Sequence, residues 1–217
     1  MADYARRRTT MVDTQVRPSD VTRFPIIEAM LKIPRELFVP VDRREAAYVG
    51  ENMDLGGGRV VLEPRTLAKM LEAVDIQPDE LVLDIGSGYG YSAALAAHLA
   101  DAVIALEEAP ELAREAERAL TEAGADNAAV VEGPLAQGAA RHGPYDVIMV
   151  QGAVQHMPEA ITDQLKDGGR IAAIFQEGAL GVVRVGYRID GQMTWRFAFN
   201  AGAPVLPGFE ANRAFVL

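Results

Sequence analysis

The chain has 217 residues, 49% hydrophobic and 24% charged, which is the composition of an ordinary globular protein. Its net charge of −10 argues against a nucleic-acid partner, because phosphates would be repelled over most of the surface. The absence of cysteine excludes disulfides, thiolate nucleophiles and sulfur-ligated metals. No stretch approaches the ~20 apolar residues of a membrane-spanning helix, and no secretory signal is recognisable, so we expect a cytoplasmic protein without a membrane partner.

The first third of the chain indicates helix interrupted by irregular segments. Residues 20–32 repeat apolar side chains at helical spacing, and a further helix is expected from Pro64, a favourable first-turn residue. The two prolines of PRELFVP (34–40) indicate an extended stretch. The segment GENMDLGGG (50–58) is too rich in glycine for regular structure and is expected to be a loop.

Five short apolar runs, most of them separated by helical stretches, predict a doubly wound, mostly parallel α/β sheet with helices on both faces. The runs are LVLDI (81–85), AVIAL (102–106), AAVVE (128–132), DVIMV (146–150) and RIAAIF (170–175). Helices are expected in YSAALAAHLA and in APELAREAERALTEAG, which Gly124 ends. Farther on, Asp190-Gly191 lies between two alternating segments, which predicts an antiparallel C-terminal hairpin at the sheet edge.

A glycine-rich bend follows the first apolar run and directly precedes a predicted helix. It consists of Asp84, Ile85, Gly86, Ser87, Gly88, Tyr89 and Gly90. Ligands of open α/β sheets bind at this carboxyl edge of the strands. The spacing differs from the G-x-G-x-x-G of dinucleotide sites, and the Gly-Lys-Ser/Thr of a P-loop is missing. Because Asp84 precedes the glycines, the bend is better suited to a cation than to a diphosphate.

A pair of acidic residues, Glu107 and Glu108, follows the next apolar run. A carboxylate at this position can accept hydrogen bonds from both hydroxyls of a ribose. The two features together indicate a ligand with a ribose, no phosphate and a positively charged tail. S-adenosylmethionine fits this description, and its ammonium can pair near Asp84. We therefore predict an S-adenosylmethionine site; a ligand-free turn and a dinucleotide site are the alternatives.

Most of the chain resembles the protein-L-isoaspartate O-methyltransferases. The similar segments, in the order of that family, are MVDTQVR (11–17), IPRELFVP (33–40), residues 47–64, VLDIGSGYGYSAA (82–94), YDVIMVQGA (145–153) and residues 165–170. The resemblance implies the class I methyltransferase (Rossmann-like) fold and S-adenosylmethionine as cofactor. It also implies methylation of the carboxylate of isoaspartyl residues in damaged proteins. It predicts an N-terminal helical cap with a substrate-side loop (1–63) and a cofactor-binding methyltransferase domain (64–217).

Two family segments differ in this chain. The family's Q-T-I-S-x-P segment, whose serine belongs to the active site, aligns without a gap with residues 59–64, so Leu62 stands at the serine position. Arg59 and Glu63 are then charged candidates for a catalytic role, and Arg59 could hold a substrate carboxylate. The family's Gly-Asp-Gly is Gly133-Pro134-Leu135 here, so adenine would be held by backbone and apolar contacts.

The remaining candidates are isolated. His156 follows the fourth run at the cofactor edge and is a candidate substrate contact, but the three histidines are too dispersed for a metal site. Ser92 lies in an incomplete nucleophile-elbow motif and is interpreted as a first-turn helix residue. The predicted cofactor-binding residues are Val61, Leu62, Asp84, Gly86, Ser87, Gly88, Tyr89, Gly90, Ser92, Glu107, Glu108, Gly133 and Leu135.

The predicted function is methylation of a protein or peptide carboxylate. Such a nucleophile, with a pKa near 4, is already ionised at pH 7, so no general base is required. The first alternative is a catalytically impaired homologue that binds S-adenosylmethionine or S-adenosylhomocysteine as a sensor or partner protein. The second is a nicotinamide dehydrogenase. Nothing in the sequence specifies an oligomeric state.

Overall fold

The computed structural model describes residues 3–211, which form six α-helices and nine strands. The helices are α1 (Tyr4–Met11), α2 (Phe24–Lys32), α3 (Pro64–Val74), α4 (Tyr91–Leu99), α5 (Pro110–Ala123) and α6 (Glu159–Thr162). The strands are β1 (Met53–Gly56), β2 (Arg59–Val61), β3 (Leu81–Ile85), β4 (Ala102–Glu107), β5 (Ala128–Glu132), β6 (Tyr145–Val154), β7 (Leu165–Glu177), β8 (Leu180–Ile189) and β9 (Gln192–Asn200). No helix among these residues is long and apolar enough to cross a membrane.

Seven strands form one sheet in the spatial order β5-β4-β3-β6-β7-β8-β9. In this spatial order, the neighbours among the first five strands (β5, β4, β3, β6 and β7) pair in parallel. The pairs β7–β8 and β8–β9 are antiparallel. The five predicted apolar runs and the hairpin at Asp190-Gly191 are therefore confirmed as strands and turn. The strand order reverses beside β3, because β4 and β5 lie on one side of it and β6 on the other. This is the position where open α/β sheets bind ligands.

Side chains alternate between the two faces of the sheet, and each face has its own core. Val82 and Val147 pack in a cluster shared with α2, α3 and α4, whereas Leu83 and Ile148 pack in a cluster shared with α6 and Leu206. All four strand residues are fully buried. Burial on both faces explains why the central strands are continuous apolar runs rather than alternating ones.

The glycine-rich segment 50–58 was predicted to be a loop, and this prediction is wrong for Met53–Gly56, which form β1. β1 pairs antiparallel with β2 as a separate two-stranded sheet. Gly57 and Gly58 form its turn with φ of +58° and +76°, a left-handed conformation that glycine adopts without steric cost. The glycines therefore permit a tight hairpin.

The cap also differs from its prediction in one place. PRELFVP is not extended, because Arg35–Phe38 form a 3₁₀ turn whose Leu37 amide donates to the carbonyl oxygen of Pro34 at 3.0 Å. Apolar residues of the cap, such as Ile27 and Phe38, pack in the same cluster as Leu95 of α4. The cap thus lies directly on one face of the sheet, and the division of the chain at residue 63 stays a prediction.

Candidate cofactor and active site

The predicted glycine bend connects β3 to α4 at the carboxyl edge of the sheet. Gly86 and Gly88 have φ of +75° and +57°, which residues with a Cβ atom rarely adopt. The bend is anchored to β4 because the Gly86 amide donates to the carbonyl oxygen of Leu106 at 2.8 Å. Apolar side chains cover it: Leu55 of β1 lies over Gly88, and Leu206 lies over Gly86. The glycines leave backbone free for close approach, and in this conformation the chain's own leucines make that approach.

Asp84 is fully buried, and both of its carboxyl oxygens accept short hydrogen bonds. Ser92 Oγ donates to Oδ2 at 2.5 Å, and Gln151 Nε2 donates to Oδ1 at 2.6 Å. Burial raises the pKa of Asp84 to about 7, although the two hydrogen bonds act in the opposite direction. The predicted pairing of Asp84 with a ligand ammonium stays a prediction, since Asp84 contacts other parts of the chain here.

Glu107, at the end of β4, is fully buried and accepts three backbone hydrogen bonds. The amide of Gly88 donates to Oε2 at 3.0 Å, and the amides of Glu108 and Ala109 donate to Oε1 at 2.8 and 3.1 Å. Two of these amides precede α5, whose first residue is Pro110. The carboxylate is thus held rigidly between the glycine bend and the start of a helix, as a ribose acceptor requires.

Arg59 supplies a fourth donor to the same carboxylate. Its Nε lies 3.0 Å from Oε1 and 3.3 Å from Oε2 of Glu107, and its Nη2 lies 3.7 Å from Oε2 of Glu108. The arginine side chain is 4% exposed, and its Nη1 is buried without a hydrogen-bond partner among residues 3–211. The predicted contact of Arg59 with a substrate carboxylate stays a prediction, and in the structure Arg59 pairs with Glu107, the predicted ribose acceptor.

Leu62 occupies the predicted serine position directly after β2. It is 1% exposed, and its carbonyl oxygen accepts a hydrogen bond from Arg35 Nη2 at 2.9 Å. Beside it lies a small cavity of about 10 Å³. The cavity is lined by Val60, Val61, Leu62, Leu67, Ser87, Tyr91, Ser92 and Gln151. The structure therefore brings the serine position, the glycine bend and the first turn of α4 together.

The remaining predicted residues are more dispersed. Leu135 lies 3.6 Å from the position that a Cβ on Gly86 would take, and the Gly133 amide donates to the carbonyl oxygen of Glu107 at 3.1 Å. Glu63 accepts a hydrogen bond from Thr66 Oγ1 at 2.6 Å, which is a contact within the first turn of α3. His156 is exposed beyond β6. Catalytic roles for Glu63 and His156 stay predictions.

Three residues that contact the site were not among the residues predicted from the sequence: Leu55, Gln151 and Leu206. Gln151 directly follows the apolar run of β6, and a polar residue at the carboxyl end of a central strand was the available signal. Leu55 and Leu206 carry no comparable signal, because a single apolar residue in a segment without a clear sequence pattern does not reveal what it covers.

The family model described as protein-L-isoaspartate(D-aspartate) O-methyltransferase (PCMT) matches residues 6–195. The chain belongs to this family. It is 39% identical over 173 residues to a protein-L-isoaspartate O-methyltransferase of Methanoculleus marisnigri, covering 79% of each chain. It is 39% identical over 161 residues to one of Gloeobacter violaceus, covering 74% of this chain and 78% of the other.

Solved structures agree on the fold. A protein-L-isoaspartate O-methyltransferase matches with a TM-score of 0.80 at 24% identity, covering 93% of this chain and 66% of that one. A Plasmodium falciparum protein of this description, solved with S-adenosyl-L-homocysteine, matches with a TM-score of 0.79 at 17% identity, covering 95% and 99% of the two chains. The predicted class I methyltransferase fold is confirmed.

The residues of the site have the chemical groups that S-adenosylmethionine requires. The bare backbone of Gly86 and Gly88 and the buried Glu107 offer what a nucleoside without phosphates requires. Their arrangement here is closed, because Glu107 is fully buried and the side chains of Leu55 and Leu206 lie over Gly88 and Gly86. Binding therefore requires some of the covering side chains to move.

Proposed function

We propose that the protein is an S-adenosylmethionine-dependent O-methyltransferase that methylates the carboxylate of isoaspartyl residues in proteins or peptides. The observation that carries the proposal is the family match over residues 6–195, which includes both the glycine bend and the Leu62 segment. The relatives named above, both O-methyltransferases, do not favour a non-catalytic sensor. A cytoplasmic location stays a prediction.

In this proposal the chain binds the cofactor at the carboxyl edge of β3 and β4. Glu107 would accept the ribose hydroxyls, Gly86 and Gly88 would lie against the ligand, and Leu135 would contact the adenine. When bound, S-adenosylmethionine supplies a methyl group activated by a sulfonium. Leu62 and Val61 would form the wall between this site and the acceptor, because the structure places them beside Ser87 and Ser92.

The protein's contribution to the reaction is positioning and exclusion of water. The acceptor carboxylate is ionised at neutral pH, so no residue has to remove a proton before methyl transfer. Holding two reactants in line contributes much of the rate acceleration available to such an enzyme. A site whose walls are as buried as Leu62 and Glu107 keeps water away from both reactants.

The proposal is tested by incubating the protein with S-adenosylmethionine labelled in the methyl group and a peptide that contains one isoaspartyl residue. The control is the same peptide with a normal aspartyl residue at that position. Label in the isoaspartyl peptide alone, released by mild base as a methyl ester is, supports the proposal. Label in neither peptide, or equal label in both, contradicts the stated substrate.

A further inference from the structure

Glu107 has no acceptor capacity left in this structure. A carboxylate offers about four lone-pair sites to donors. Three are taken by the amides of Gly88, Glu108 and Ala109, and Arg59 Nε bridges both oxygens at 3.0 and 3.3 Å. A ribose that donates from two hydroxyls must therefore displace at least one of the present donors.

Arg59 is the donor that can leave. The three amides belong to the β3–α4 and β4–α5 turns, which are fixed within the main sheet. Arg59 instead begins β2, which pairs only with β1 in a separate two-stranded sheet and is not hydrogen-bonded as a strand to the main sheet. Its buried Nη1 lacks a hydrogen-bond partner among the described residues, so the closed arrangement leaves one of its own donors unsatisfied.

The β1–β2 hairpin covers the glycine bend as one unit. Leu55 on β1 lies so close to Gly88 that a Cβ there would be 2.6 Å from Leu55 Cδ1, while Arg59 on β2 reaches Glu107. Gly56 at the end of β1 and the turn residues Gly57 and Gly58 are exposed and all have positive φ. Displacement of this hairpin would uncover the glycines and release the carboxylate at the same time.

We propose that Arg59 is a latch that closes the cofactor site by occupying Glu107, and that the β1–β2 hairpin must be displaced before S-adenosylmethionine binds. This inference rests on the proposed function of the same site. The ribose hydroxyls of the cofactor and the guanidinium of Arg59 then compete for the Glu107 carboxylate. The apparent affinity for the cofactor is therefore the intrinsic affinity multiplied by the fraction of molecules in which the latch is open.

The latch is tested by calorimetry with S-adenosylhomocysteine and S-adenosylmethionine on the full chain. Arg59→Gln removes the charge that holds Glu107, and Arg114→Gln, on the exposed face of α5, is the matched control for loss of one positive charge. If the open state is a minor one, Arg59→Gln should bind about 10- to 100-fold more tightly, with Arg114→Gln unchanged.

Equal binding by Arg59→Gln would show that Arg59 has no effect on cofactor affinity, and weaker binding would show that Arg59 itself holds the cofactor. Either result would overturn the latch and leave the proposed function intact. Absence of binding by the wild type and by both variants would overturn the latch and the proposed function together.

A second measurement keeps Arg59 in place, which covers the case where Arg59→Gln does not fold. Because the chain has no cysteine, spin labels can be attached at Asp54→Cys on β1 and Glu117→Cys on α5, both exposed positions. Adding S-adenosylhomocysteine should shift the distance between the labels as the hairpin is displaced. Saturation with the ligand without any change in the distance distribution would overturn the latch.

Discussion

Arg35 Nη2 donates a hydrogen bond to the carbonyl oxygen of Leu62 at 2.9 Å, and both side chains are buried. The same guanidinium donates through Nε to the carbonyl oxygen of Ala47 at 2.7 Å. A cation from the cap therefore fixes the backbone of the segment that is predicted to align with the family's active-site serine. The main chain at residue 62 is positioned independently of the side chain that it carries.

This backbone anchor leads to a prediction for Leu62→Ser. The hydroxyl should return a donor to the acceptor site and raise isoaspartyl methylation by about 10²-fold, by analogy with the loss of a single oxyanion-site donor. The matched control is Leu62→Ala, which opens similar space without a donor. Both variants should lose roughly 2–5 kcal/mol of stability, so rates are compared well below both melting temperatures. Equal rates for the two variants would show that the serine position has no role in this chain.

The buried Asp84 leads to a prediction for stability against pH. Between the ordinary pKa of 3.8 and the folded value of about 7, the folded protein binds a proton that the unfolded chain has released. The free energy of unfolding contributed by Asp84 should therefore fall as pH rises from about 4 to about 7. Asp84→Asn stays neutral and should lack this fall. Urea unfolding of both proteins at about pH 5 and about pH 8 checks it. A stability difference between the two proteins that is the same at both pH values would contradict the prediction.

The contact between Leu55 and Gly88 leads to a third prediction. Gly88→Ala should lower the free energy of unfolding, because φ is +57° and the new Cβ would lie 2.6 Å from Leu55 Cδ1. The left-handed conformation alone costs about 1–2 kcal/mol. When Gly88→Ala is introduced into Leu55→Ala, the clash should be absent, so the added loss of stability should be only that conformational cost. Strictly additive effects of the two substitutions would show that the hairpin does not press on the glycine bend.

The centre of the sheet was predictable because its strands are buried on both faces. LVLDI coincides with β3, since a continuous apolar run between helical stretches has few other stable positions. AAVVE coincides with β5 although this edge strand has no buried residue. The glycine bend was equally predictable, because its position between β3 and α4 follows from the order of the elements along the chain.

The hairpin and its contacts were not predictable in the same way. Glycines 56–58 are compatible with a loop or with a tight turn, and the choice depends on pairing between β1 and β2. The ion pair of Arg59 with Glu107 joins residues 48 positions apart, which no local pattern reveals. Gln151 was similarly recognised only through its contact with Asp84.

The central claim, that Glu107 holds the ribose of an S-adenosyl cofactor, is tested most directly by calorimetry with S-adenosylhomocysteine. The wild type should bind one equivalent, and Glu107→Ala should bind at least 10-fold more weakly, because hydrogen bonds to a charged acceptor contribute about 1.5–3 kcal/mol. Glu111→Ala, at an exposed position in the first turn of α5, should bind as the wild type does. Undiminished affinity in Glu107→Ala would contradict the assignment of this carboxylate.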